Sequence, residues 1–388
     1  MFRVCCLIVL CILAGIVWPG SSESGARGPA PASIHHAIKI TPHPDRHSFE
    51  ATDAITVPES FGNSFTFALH EGLDPVSSTP HVSIVRESGS QDSVPLATYR
   101  VMLPQGVKTW VIQYRGTMHH PLEPDEKVTV RGSRGTPGQI SGKGVFLSAE
   151  SYWYPQFREG LLSFDVEITV PHDWDAVSQG ERTLHELSQH VRRVRWHCPN
   201  PQEGISLVAG PFFTFSSAAD KVQTMVFLHQ PDAALAEKYL EATARYLVMY
   251  DKLIGLYPYR KFALVENFWE TGYGMPSFAL MGPKVIRFPF IITSSYPHEI
   301  LHNWWGNSVY PDLKTGNWCE GLTAYLADHL LREQKGTATE YRRDLLQRFA
   351  DYVSKENDFP LSQFRSRHSA ATQAIGYGKA LMFFHMLR

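Results

Sequence analysis

"SSYPHEILHNWW", residues 294–305, sets His298 and His302 four apart, with Glu299 directly after the first. On a helix, residues four apart share a face, so both imidazoles can reach one ion, while Glu299 is turned about 100° round the axis. The local residues favour a helix, because Pro297 suits a first turn and Ser294 or Ser295 can cap it. An ordinary helix that happens to carry these side chains is the bland alternative, and what weighs against it lies downstream. A zinc ion that works on a substrate needs a third protein ligand and a position left open for water. Glu320, in "NWCEGLTAYL", opens the next helical pattern and is returned by the connecting loop, so one Zn2+ is expected on His298, His302 and Glu320. Glu299 points at the water instead of the ion, which suits a general base. Asp328 and Thr323 are both available to orient a ligand, and the sequence does not choose between them.

Working outward, "TATEYRRDLLQRFADYVSK" reads as a further helix, and Gly336 after basic residues closes the one that starts near Glu320. Upstream, Leu235, Tyr239, Ala242, Tyr246, Met249 and Leu253 recur at helical spacing with Asp232 placed to cap them. Before residue 215 the pattern is short alternating runs, such as Trp110, Ile112 and Tyr114, or Phe164, Val166, Ile168 and Val170. The glycine-rich run 131–144 reads as an exposed connection. The expectation is an α+β protein: a β-sandwich-like domain over 33–217, then a mainly helical domain over 218–388.

The chain has 388 residues, more than one core usually serves, which agrees with that division. Lys and Arg (36) nearly balance Asp and Glu (38), and no basic run interleaves with aromatics, so nucleic acid is not an expected partner. Residues 1–26 place Arg3 before an apolar run from Val4 to Trp18, then small and polar residues, the pattern of an export signal. The run is short of the ~20 residues that span a bilayer, so an uncleaved anchor is the second choice and stable membrane insertion after cleavage is not expected. Cys5, Cys6 and Cys11 lie in that segment, leaving Cys198 and Cys319, whose pairing is open.

"HEILHNWWGN" followed by "NWCEGLTAYL" resembles the gluzincin zinc metallopeptidases of the aminopeptidase N and leukotriene hydrolase family. "FDVEITVPHDWDAVSQG" is similar to that family's N-terminal β domain, "GLYPYRKFALVE" to the strand opening its thermolysin-like catalytic domain, and "GYGKALMFFHML" to its tyrosine motif. The resemblance implies a zinc peptidase, aminopeptidase-like, acting on peptide or protein substrates, and the export signal adds that it is secreted. It implies Glu299 as the base that activates the water and Tyr377 as the phenol that hydrogen-bonds the tetrahedral oxyanion. It also matches Glu150 to a substrate-binding carboxylate or amide of the N-terminal domain, beside the alternative of a solvated turn residue.

The chain departs from the family in three places. The stretch Asn303 to Cys319 is one residue shorter than the family's usual spacing. Where the family has a glutamate that holds the substrate's amino terminus, "GYGMPSF" carries Pro276 after Met275. Gly272 and Gly274 still permit a peptide backbone to approach beside Met275. The family's chain continues into a C-terminal helical domain where this sequence stops at "GKALMFFHMLR"; a fragment is one reading, and if the chain ends there the expectation is that the domain is lacking and Leu381, Phe383 and Phe384 are exposed. Other readings stay open: an endopeptidase, a non-peptide hydrolase on the same site, or a peptide-binding or scaffold module with impaired catalysis. Oligomeric state is not readable.

Overall fold

Alternating apolar residues become strands over most of residues 34–228 in the computed structural model, which describes residues 33–91, 94–124, 134–158 and 160–388. In Leu162–Pro171 the buried side chains are Phe164, Val166, Ile168 and Val170, and in Thr109–Thr117 they are Trp110, Ile112 and Tyr114. Both lie in a seven-stranded sheet ordered Glu181–Leu187, Val191–Gln202, Leu162–Pro171, Ile34–His43, Ser48–Thr56, Thr109–Thr117, Val76–Ser77. Ile34–His43 runs parallel to Leu162–Pro171, and every other pairing in the sheet is antiparallel. Smaller sheets of three and four strands share its core. The expected segment 1–26 lies outside the described residues, and among those described no helix is long and apolar enough to cross a membrane.

A five-stranded sheet joins this β-rich part to the helical part that follows. Its order is Phe213–Ala219, Val222–Leu228, Lys261–Glu266, Phe278–Met281, Gly272–Met275, and the expected boundary at 217/218 falls inside the first of these strands. Period two sorts its side chains between two cores. Met225, Phe227, Ala263, Val265, Phe278 and Leu280 pack into the β-rich core. Val226, Leu228, Phe262, Leu264, Ala279 and Met281 pack against the helices. Burial on both faces is why "KFALVE" shows no polar alternation.

Helix α1, Ala233–Leu253, covers the helical face and is capped as expected, the Asp232 carboxylate accepting from the Leu235 N–H at 2.9 Å. Helix α2, Ser295–Leu301, carries His298 and is closed by His302 at its C-cap. Helix α3, Cys319–Ala324, runs through a π-helical turn, Tyr325–His329, into α4, Leu330–Gln334, and ends before Gly336 at φ 74°. Helix α5 spans Ala338–Tyr352, and α6, Ala370–Gln373, passes through a second π-helical turn, Ala374–Lys379, into α7, Ala380–Leu387. Gly321 lets α3 and α7 touch, since a Cβ there would come within 2.3 Å of the Ala380 Cβ.

Three expectations are corrected. Residues 131–133 of the glycine-rich run lie outside the described set. Gly138–Ser141 is not an exposed connection but a strand paired with Gly144–Leu147, its Gly138, Gln139 and Ile140 buried. Backbone hydrogen bonding, which small residues do not advertise, holds it there. Ser294 occupies the position before α2 without capping it, because its hydroxyl donates back to the Phe290 carbonyl at 2.8 Å. Leu381 is fully buried against Ala324 and Tyr325, while Phe383 is exposed.

In the β-rich core, His70 and His120 pack edge to face at 5.0 Å, each with a buried Nε2. Burial, then repulsion from His120, pushes His70 down to about 4. The unfolded chain takes up this proton below about pH 6.5 and the folded chain refuses it, so stability present above that pH is lost as pH falls toward 4. Melting curves across pH 4–8 should therefore fall more steeply for the unaltered chain than for His70→Gln.

Candidate active site

Two turns of helix and two π turns assemble the site. From α2, His298 and His302 stand with ring centres 4.8 Å apart. From α3, the Glu320 Oε2 atom lies 3.5 Å from the Nε2 of each. Among the described residues this trio is the group whose donor atoms converge, all within 4.8 Å of one another.

The outer nitrogens settle which face each imidazole presents. His302 Nδ1 lies 3.0 Å from the Trp305 carbonyl oxygen, which only accepts, so Nδ1 carries the hydrogen and donates. His298 Nδ1 donates likewise to Asp328 Oδ2 at 3.2 Å. Both Nε2 lone pairs then face the Glu320 carboxylate, and such an arrangement is favourable only with positive charge between them. Burial alone would drive a proton off His298. Asp328, by its charge and hydrogen bond, together with Glu320 and Glu299, reverses this and holds His298 well above the ordinary imidazole range. Burial would likewise raise Glu320, yet the two histidines hold it well below the usual carboxylate range. Two imidazoles and a carboxylate on neighbouring helices, each imidazole backed by an acceptor, fit a zinc ion.

Glu299 sits beside the trio. Burial raises its carboxyl above the ordinary value, opposed by the two histidines and reinforced by Glu320 and Asp328. Its carboxylate lies against Gly274, where a Cβ would come within 2.2 Å of Glu299 Oε2. A side chain at position 274 could be accommodated only if the Glu299 carboxylate moved.

Tyr377, on the second π turn, stacks its ring on His298 at 6.3 Å and meets the Phe364 edge at 6.2 Å. Burial, then the charge of Glu320, raises its phenol, so it keeps its proton and remains a donor. Asp328 and Tyr377 both sit on wide turns, which shift a helix face by a fraction of a turn.

These residues line a cleft of about 660 Å3 that includes Gly274, Met275, Glu203 and Arg367. Glu150 is exposed on the turn Ala149–Ser151 and lines an adjoining cavity of about 570 Å3, which shares Glu203, Tyr273, Gly274 and Met275 with the cleft. The structure therefore brings His298, His302, Glu320, Glu299, Tyr377, Gly274 and Met275 together and sets Glu150 one cavity away. Glu203 and Arg367 carried no spacing signal in the sequence. Of Asp328 and Thr323, between which the sequence did not choose, it is Asp328 that meets His298. Cys198 and Cys319 are both buried and unpaired.

A β-rich region, a helical region and a two-histidine, one-carboxylate centre define the zinc metallopeptidase architecture, and comparison with solved structures agrees. The chain has the fold of the M1 zinc metallopeptidases. It is similar to the M1 zinc metallopeptidase of Deinococcus radiodurans at 18% identity and TM-score 0.64, over 92% of this chain and 83% of that one. A mutant of the Deinococcus radiodurans M1 zinc metallopeptidase, bound to a Tyr-Ser-Ala substrate, matches at 16% identity and TM-score 0.62, over 92% and 83%. Native yeast LTA4 hydrolase matches at 13% identity and TM-score 0.62, over 92% of this chain and 58% of that one. No family model and no curated protein matches the sequence.

Removing the acceptor behind His298 frees its ring to turn. Asp328→Ala should weaken zinc binding by about 10- to 100-fold, measured by competition with a chromogenic chelator.

Proposed function

We propose that the chain is a zinc-dependent metallopeptidase that cleaves peptide bonds with an activated water. One observation carries this: three metal-ligating atoms from two helices converge within 4.8 Å, in a cleft, beside a glutamate on the same helix as the histidines. His298, His302 and Glu320 would hold one zinc ion. Bound there, zinc acidifies a water and polarises a carbonyl.

The remaining steps belong to the chain's own groups. The Glu299 carboxylate, its proton affinity raised by burial, takes the proton of the attacking water and returns it to the leaving amine. Contact with Gly274 holds that carboxylate in one place. The Tyr377 phenol keeps its proton and donates it in a hydrogen bond to the oxygen on which negative charge develops. Gly272–Met275 is an edge strand lining the cleft, so its backbone offers pairing to an extended substrate.

Aminopeptidase-like cleavage is the specificity we propose within this class. It is supported by the tripeptide bound to the Deinococcus radiodurans relative and by Glu203 and Glu150, carboxylates suited to a substrate's amino group. The thermolysin-like character of the catalytic part is proposed on the sequence resemblance, and export on the pattern of Arg3, an apolar run and small polar residues in the leading segment.

Zinc-loaded Glu299→Gln should retain its metal and lose peptide hydrolysis by about 10²-fold or more. Undiminished turnover at full zinc content would refute the base role. Tyr377→Phe should lower kcat by about 10²- to 10³-fold with little change in KM. Gly274→Ala should displace the Glu299 carboxylate and cost about 10²-fold in kcat at full zinc content, read by metal analysis beside the assay.

A further inference from the structure

The charged residues of the cleft, apart from the paired histidines, are Glu203, Glu299, Glu320, Asp328 and Arg367. Arg367 is half-buried, with its guanidinium carbon 5.9 Å from the centre of the Tyr377 ring. Among the described residues it makes no hydrogen bond and no ion pair. Arg365, two positions earlier, is a useful contrast. Its Nη1 donates to the carbonyls of Ser362 at 2.8 Å and Phe364 at 3.0 Å, and its Nη2 to that of Lys314 at 3.2 Å. Those bonds give Arg365 a structural role in pinning the loop.

Arg367 offers five donors in a planar fork at the wall of the cleft, and none of the described residues supplies an acceptor for them. A carboxylate matches that fork in both charge and geometry. The surrounding acids make the match selective. Outside the zinc centre and its neighbouring Glu299, the other charged group of the cleft is Glu203, which repels a carboxylate, so Arg367 marks the place where one is accepted. That place lies beside the phenol that faces the scissile carbonyl, and one extended residue spans about 3.3–3.6 Å.

We propose that Arg367 is a specificity-determining residue that holds a carboxylate of the peptide substrate one or two residues from the bond that is cut. This rests on the peptidase reading of the same cleft. The carboxylate has two possible sources, an acidic side chain or the C-terminal carboxylate of a short peptide.

The test uses the full zinc-loaded chain and matched peptide pairs. One set exchanges Asp for Asn, or Glu for Gln, at positions flanking the scissile bond; the other exchanges a free C-terminus for its amide. The expected result is a preference for the carboxylate member of one set by about 10- to 100-fold, residing in KM. Arg367→Gln should raise KM for that member to the value of its carboxamide partner, and Arg367→Lys should restore part of the difference. Equal treatment of both members by the unaltered chain overturns the proposal. So does an equal fall in kcat for both members in Arg367→Gln, which would make Arg367 a support for Tyr377. A calorimetric arm measures binding of the same pairs to zinc-loaded Glu299→Gln, with and without Arg367→Gln. Carboxylate-selective binding that depends on Arg367 without hydrolysis by the unaltered chain would sink the peptidase reading and keep only the carboxylate-binding role of Arg367. Non-selective binding, or none, sinks this one.

Discussion

Three electron-rich atoms facing one another across two helices form the arrangement on which the rest of the structure depends. Nothing in His298, His302 and Glu320 alone would bring them together, since burial disfavours the charge of each. The scaffold imposes the meeting. Helix α2 has seven residues, too few to persist in water by propensity. It is held by what it buries: Tyr296, Ile300 and Leu301 enter the helical core, and the Tyr296 hydroxyl meets that of Thr243 on α1 at 2.5 Å. Helix α3 is fixed from the other side by its glycine contact with α7. The positions of the ligands are therefore properties of two cores, and the five-stranded sheet between those cores transmits one to the other.

What was legible in the sequence was local. His298, Glu299 and His302 could be read because one helical turn sets their mutual geometry whatever surrounds them, and Glu320 because it begins the helix that returns. The alternation around Trp110 and Phe164 fixed strand faces for the same reason. Less legible were features decided by tertiary context. Gly138–Ser141 is a strand because neighbouring backbones need partners, and its own side chains say little. Arg365 and Arg367 are the same residue type two apart, and nothing in the sequence says which one ends up in the cleft. Tyr377 was found through resemblance, because a tyrosine between two glycines reads equally well as core. Its place against His298 depends on a π turn, which no spacing rule foretells.

The departure at Pro276 shows how a local change is absorbed without moving the chemistry. Proline has no N–H, so the turn between Gly272–Met275 and Phe278–Met281 must be held by other groups. Ser277 does this at φ 67°, a left-handed conformation that is unfavourable for a residue with a side chain. Its N–H donates to Asn303 Oδ1 at 2.6 Å, and its hydroxyl accepts from the Gly180 N–H at 3.0 Å. Asn303 is fully buried just beyond the second histidine, and its amide nitrogen donates to the carbonyls of Glu299 and Ile300. One side chain thus joins the turn after the substrate strand to the helix that carries the base. Because Gly274 on that strand touches the Glu299 carboxylate, strand and base are registered twice, once through Asn303 and once by contact. A residue lost from the strand's recognition chemistry can then change which substrates are held while leaving the base where it was. On the peptidase reading proposed above, the altered turn would bear on selectivity more than on the capacity to hydrolyse.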